Sequence, residues 1–171
     1  PNLGALGLGN ILPLPGVPDR EEKIAIVGSG PAGLLCAHGL RQMGYRPTIF
    51  EALPVAGGML AVGIQSFRLP RPVLNAEIDR LRASGIEIKL NTPLGPGMTL
   101  DELRHGHAAV FIAIGAHVER KLRVPGEGLP GVTGAVEFLR RVQLEGPTLP
   151  GRRVLVIGGG NSALDAARTA L

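Results

Sequence analysis

The stretch "KIAIVGSGPAGLLCA", residues 23–37, limits what this chain can fold into more than any other part of it. An apolar run meets Gly28, Gly30 and Gly33 at G-x-G-x-x-G spacing, and apolar residues resume beyond them. The first glycine permits a tight turn, the second lets backbone approach a pyrophosphate, and the third allows close helix contact. The reading is a strand over 23–27, a turn over 28–33 and a helix over 31–43, with Pro31 in its first turn and Gly44 after its last. "RPTIFE" is a second strand ending at Glu51, and a right-handed crossover makes the two strands parallel. Glycine spacing alone is a weak signal. The flanking strand and helix, with Glu51 at the usual distance, point to a dinucleotide: diphosphate at the helix N-terminus, ribose hydroxyls on the carboxylate.

A second run, "RRVLVIGGGNSALDAARTAL", repeats the device with Gly158, Gly160 and Ala163 at G-x-G-x-x-A spacing after another apolar strand. A second dinucleotide is the direct implication. A plain helix start also suits these residues, with Asn161 as N-cap and Asp165 as a first-turn acid. The residue that separates NAD from NADP belongs at the end of the next strand, beyond Leu171.

Between the two runs, "ALPVAGGMLAVGIQSFRLP" has neither helical nor alternating period and reads as a functional loop or a cover over a ligand. Helices are expected over 71–85, from an N-cap at Thr99 with Glu102 three residues on, and over 135–146. Strands are expected at "IEIKL" and, as a buried strand, at "AAVFIAIGA". The domain expectation is an irregular tail over 1–22, a dinucleotide-binding segment with its connection over 23–150, and the start of a second such domain over 151–171. The loop "PTLPG" is the candidate boundary.

Composition narrows the function classes. With 44% hydrophobic residues but only 3% aromatic, the core must be built from Val, Ile, Leu and Ala, as in helix-covered parallel sheets. A net charge of +4 without a basic block or an aromatic platform argues against nucleic acid, and the glycine- and proline-broken opening segment suits neither a signal peptide nor a membrane span. Cys36 is the only cysteine, so these residues hold no disulfide, no Cys-x-x-Cys pair and no all-cysteine iron–sulfur site. The expected compartment is the cytoplasm. Cys36 reads as a buried structural thiol on the apolar side of its helix. His105 and His107 lack a carboxylate cluster and make a poor metal site, and no paired carboxylates or Ser/His/Asp spacing suggest hydrolysis.

The three segments "KIAIVGSGPAGLLCA", "TIFEALPVAGGMLAVGIQSFRLPRPVL" and "VLVIGGGNSALDAARTAL" together resemble the glutamate synthase small (beta) subunit family and related flavoproteins. The resemblance covers about residues 23–171. It implies an α/β fold: a Rossmann-type FAD-binding βαβ domain followed by the truncated start of a second Rossmann-type domain for NADPH or NADH. By the same match, Gly28, Ser29, Gly30, Pro31, Ala32 and Gly33 meet the FAD diphosphate and Glu51 its ribose. Gly58, Met59, Leu60 and Arg68 approach the flavin, Leu94 sits where backbone reads adenine, and Ala113 to Gly115 end a strand beside FAD. Gly158, Gly160, Asn161, Ser162 and Asp165 fall to the nicotinamide cofactor. Gln65 stands where that family usually has proline, and Ile114 where it has threonine. The implied activity is hydride transfer from NAD(P)H to FAD, with electrons passed to an iron–sulfur or flavin partner. The cofactors carry that chemistry, so no catalytic side chain and no metal ligand is named. The chain is expected to be part of a longer protein or a hetero-oligomer. A non-catalytic scaffold subunit is the competing reading. A disulfide reductase would need a cysteine pair.

Overall fold

The computed structural model describes residues 17–147 and 151–171. Most of the 1–22 tail and most of the "PTLPG" loop therefore lie outside the described residues. The chain divides into two compact units: the residues up to Gly58 with Pro72–Gly115, and Met59–Arg71 with Ala116–Leu171.

The first unit is a parallel sheet in the order β3-β2-β1-β4. Its strands are β1 (Ile24–Val27), β2 (Thr48–Phe50), β3 (Glu87–Lys89) and β4 (Ala109–Ile112). β1 is buried along its whole length and has a paired strand on both sides: Ala25 opposes Thr48 in β2 and Val110 in β4. The helix α1 (Pro31–Gln42) lies on the Ile26 face, and α4 (Leu100–Gly106) sends Leu103 onto the Ala25, Val27 and Phe50 face. Of the apolar residues expected at helical spacing, Val73, Leu74, Ile78 and Leu81, the last three are the buried stripe of α3 (Arg71–Ala83), whereas Val73 is exposed. Thr99 and Glu102 form the expected capping box at the start of α4.

The chain visits β1, β2 and β3 outward on one side and then returns to place β4 on the other side of β1. The order reverses between β1 and β4. In open parallel sheets ligands bind outside the carboxyl ends of the strands at such a reversal.

The second unit is helical: α2 (Met59–Val62), α5 (Ala135–Glu145) and α6 (Asn161–Thr169). Its core joins Phe138 and Leu139 of α5 to Ala166 of α6.

Four local expectations are corrected. The long loop after β2 contains the short helix α2, too brief to carry a period. β4 is an edge strand rather than a buried one, with Phe111 and Ile112 exposed, since only β1 covers it. The apolar run at 154–157 is not a strand: Leu155 is 85% and Ile157 72% exposed. Among the described residues its unit contains no strand to complete a ladder, and an extended segment without a partner is not stable as a sheet. Cys36 is half-buried, while Gly33, Leu34, Ala37 and Arg41 form the buried side of α1; burial pushes its thiol pKa up.

Candidate functional site

The glycine turn after β1 is built by close approach. Gly28 adopts φ +103°, and a Cβ there would lie 2.4 Å from the carbonyl oxygen of Ala113 at the end of β4. Gly28 N–H donates to the Phe50 carbonyl at 2.8 Å, and Ala113 N–H donates to the Val27 carbonyl at 2.7 Å. The turn is thereby tied to β2 and to β4, the strands on either side of β1. A Cβ on Gly33 would stand 2.0 Å from the Gly28 carbonyl oxygen, so the third glycine lets the first turn of α1 rest on the loop itself.

Gly30 differs from both neighbours in the motif. It is the N-cap of α1 with no side chain capping it, and a Cβ there would meet nothing within 4 Å. The helix starts with Pro31, whose missing N–H leaves the first-turn amides of Ala32 and Gly33 as the helix's free donors. Open space beside an uncapped helix N-terminus fits a diphosphate in shape and polarity. Gly58, at φ +53°, covers the turn: its own Cβ would come within 2.7 Å of Gly30 Cα.

Glu51 is buried, and its carboxylate is locked onto this turn. Oε2 accepts from Ser29 N–H at 2.8 Å and from the Ser29 hydroxyl at 2.5 Å, and Oε1 accepts from Leu53 N–H at 2.8 Å. The Ser29 hydroxyl also accepts from Gly57 N–H at 3.1 Å. Two carboxylate oxygens offer about four acceptor positions, so the three donors leave room for a further hydroxyl donor, on Oε1. Ser29, fully buried, gives both donors to Glu51. Sequence spacing could not foresee that, because the contact bridges the end of β1 and the end of β2. Leu94 is exposed on the loop after β3, and that loop is tied to the same place by Thr92 N–H on the Glu51 carbonyl at 2.8 Å. Gly28, Ser29, Gly30, Glu51, Gly58 and Ala113 are thus brought together at the sheet's carboxyl edge. Gly115 follows two residues later, at φ +69°.

The remaining candidates belong to the second unit. Met59 and Leu60 lie in α2, and Arg68 follows it. Gly158 takes φ +132°, and its Cβ would touch that of Ala163 at 3.3 Å. Gly160, not Asn161, is the N-cap of α6; no side chain caps it, and its Cβ would meet open space. Asn161 and Ser162 open the helix exposed. Asp165 is not a first-turn acid. It is buried in the second turn, and Arg68 Nη1 donates to its Oδ2 at 2.8 Å. A group missed from the sequence lies in the same unit. Arg71 donates to the carbonyls of Leu60 and Ile64 and to Gln143 Oε1, and Gln143 donates to Gln65 Oε1 at 2.5 Å. No local signal marks Arg71 or Gln143, which lie 72 residues apart.

His105 and His107 turn Nδ1 to the Asp101 and Leu103 carbonyls, and no group of three or more ligating side chains forms a metal site among the described residues. Among the same residues, no helix is long and apolar enough to cross a membrane.

The chain is 52% identical over 153 residues to the beta subunit of the NADP(+)-dependent formate dehydrogenase of Moorella thermoacetica, covering 88% of this chain and 22% of that one. It is 36% identical over 167 residues to the small chain of glutamate synthase [NADPH] of Escherichia coli, covering 91% and 35%. The chain therefore spans well under half the length of these curated relatives. Among solved structures, Mycobacterium tuberculosis FprA in complex with NADPH superposes with a TM-score of 0.74 at 31% identity, over 87% of this chain and 36% of that one. The model of the pyridine nucleotide-disulphide oxidoreductase family matches residues 22–171. With the parallel sheet, its glycine turn and that match in hand, the chain belongs to the pyridine nucleotide-disulphide oxidoreductase family.

Proposed function

We propose that this chain is the cofactor-gripping part of an FAD-dependent oxidoreductase that accepts hydride from NADPH or NADH and passes electrons to an iron–sulfur or flavin partner subunit or domain. The observation that carries the reading is the Glu51–Ser29 lock on a glycine turn whose helix N-terminus is uncapped and open. A buried carboxylate held by three donors is already oriented before any ligand arrives, which lowers the ordering cost of binding.

In this reading Gly30, Ala32 and Gly33 present backbone to the FAD diphosphate, and Glu51 takes a ribose hydroxyl on Oε1. Ser29 holds Glu51 in place. Gly28 and Gly58 allow the close approaches that shape the cradle, with Pro31 fixing the helix start, and Leu94, Ala113 and Gly115 belong to its rim. The resemblance gives Met59, Leu60 and Arg68 to the flavin, and Gly158, Gly160, Asn161, Ser162 and Asp165 to the nicotinamide nucleotide. When bound, such a cofactor pair supplies hydride acceptance and electron storage, so the protein's task is binding and orientation. The relatives support the donor: those named above are NADP-dependent or NADPH enzymes, and the FprA structure holds NADPH. Such a donor supports a cytoplasmic location.

The test is a visible spectrum of the purified chain after incubation with FAD and removal of free cofactor. Retained flavin absorbance is expected, and its loss in Glu51→Ala. A wild-type chain that keeps no flavin sinks the reading. Anaerobic addition of NADPH and of NADH to the full-length protein then separates the donors.

A further inference from the structure

Resemblance assigns Arg68 to the flavin and Asp165 to the nicotinamide nucleotide, yet in the structure the two are bonded to each other. The Nη1–Oδ2 distance is 2.8 Å, bridging 97 residues of sequence, with the Asp165 side chain 7% and the Arg68 side chain 41% exposed. The segment around Arg68 is fastened on both sides. The Arg168 guanidinium of α6 lies 4.0 Å from the Phe67 ring centroid, and Gln143 of α5 holds Gln65 and Arg71. Asp165 stands four residues beyond Asn161, about 6 Å along the helix from its N-terminus. A buried carboxylate left unpaired there is costly, and it opposes the anion that a helix N-terminus attracts. Arg68 cancels that charge.

We propose that Arg68 and Asp165 are positioning residues that act through one another. Their ion pair fixes the segment 65–71 to α6 and neutralises the carboxylate beneath the second glycine turn, instead of each residue holding its own cofactor. The proposal rests on the two-cofactor reading above. Its consequence is that Asp165, on the helix assigned to the nicotinamide nucleotide, sets the position of the segment that carries Arg68.

Two measurements test this, one without cofactor and one with it. The N–H groups of Arg68 and Leu69 donate to the Gln65 carbonyl at 2.9 and 3.0 Å, so their amide exchange reports on the fastening. In the cofactor-free chain, Asp165→Asn should speed that exchange about tenfold, and Arg68→Gln equally. The Arg68→Gln/Asp165→Asn double variant should be no worse than either single, the signature of two residues acting as one. In the FAD-loaded protein, the visible circular dichroism of the flavin should change alike in both single variants and the double, while Arg68→Lys, which keeps the charge, stays near wild type. Unaltered thermal transitions control for unfolding. Wild-type exchange in Asp165→Asn overturns the proposal, as does faster exchange with an unchanged flavin signal, or effects that add in the double variant. A wild-type chain that retains no flavin defeats the two-cofactor reading and with it the assignment of the pair to cofactor positioning, whereas retained flavin with a silent Asp165→Asn defeats this inference alone.

Discussion

Substituting alanine at two glycines of α1 should move stability in opposite directions. At Gly33 the new Cβ would sit 2.0 Å from the Gly28 carbonyl oxygen, 3.1 Å from its carbon and 3.3 Å from Ile26 Cγ2. Two of those atoms are backbone of a turn tied to β2 and β4, so they cannot swing aside, and α1 must retreat on the order of 1 Å to reach ordinary contact. Overpacking of this kind costs ~1–3 kcal/mol, and a rigid backbone partner puts the cost at the upper end. Replacing glycine by alanine within a helix returns about 1 kcal/mol. The net effect of Gly33→Ala is thus ~2 kcal/mol of destabilisation. Gly39 sits in the same helix with nothing within 4 Å of its Cβ position, so Gly39→Ala keeps only the favourable ~1 kcal/mol. Urea unfolding of the two variants beside wild type, with slopes compared to confirm a common transition, should show a gap of ~3 kcal/mol. If Gly33→Ala is as stable as Gly39→Ala, α1 does not rest on the glycine turn and the account of the motif's third glycine is wrong.

Glu51→Gln tests the lock: all three groups bonded to the carboxylate donate, and an amide keeps only one accepting oxygen, so either the buried Ser29 N–H or the part-buried Leu53 N–H loses its acceptor at a cost of about 1–3 kcal/mol; chemical denaturation that finds the variant as stable as wild type refutes it. For Glu102, the hydrogen bond from Thr99 N–H and then that from the Thr99 hydroxyl hold the carboxyl below its ordinary range. Because the folded value is the lower one, this contribution is present above the unfolded value of about 4.3 and is lost as pH falls through the folded value. The stability gap between wild type and Glu102→Gln should therefore hold steady from neutral pH down to about 5 and close in acid; a gap that widens in acid contradicts the assignment.

The glycine device was legible because its requirements are local. Gly28 needs a positive φ, Gly33 needs to lack a Cβ, and the spacing that meets both is written in consecutive residues. The capping box at Thr99 and the buried stripe of α3 are local in the same sense, a three-residue separation and a 3.6-residue period. Where the reading failed, the missing information was a partner. "RVLVIG" carries every intrinsic preference of a strand, yet a strand is defined by its neighbour, and none stands beside it among the described residues. β4 has the apolar character of a buried strand but only β1 alongside it.

The candidate site divides along the same line. The amino-acid sequence by itself determined the turn, the helix start after it and the acid at the end of β2, on which the proposed cradle for a diphosphate and a ribose rests, since these follow from backbone sterics and strand–helix periodicity. Only the tertiary structure decided that Glu51 is already held by Ser29 and Leu53, and that Arg68 and Asp165 are spent on each other. A hydrogen bond or an ion pair depends on distance in space, and no period or spacing in a sequence encodes which of several carboxylates a given donor will reach.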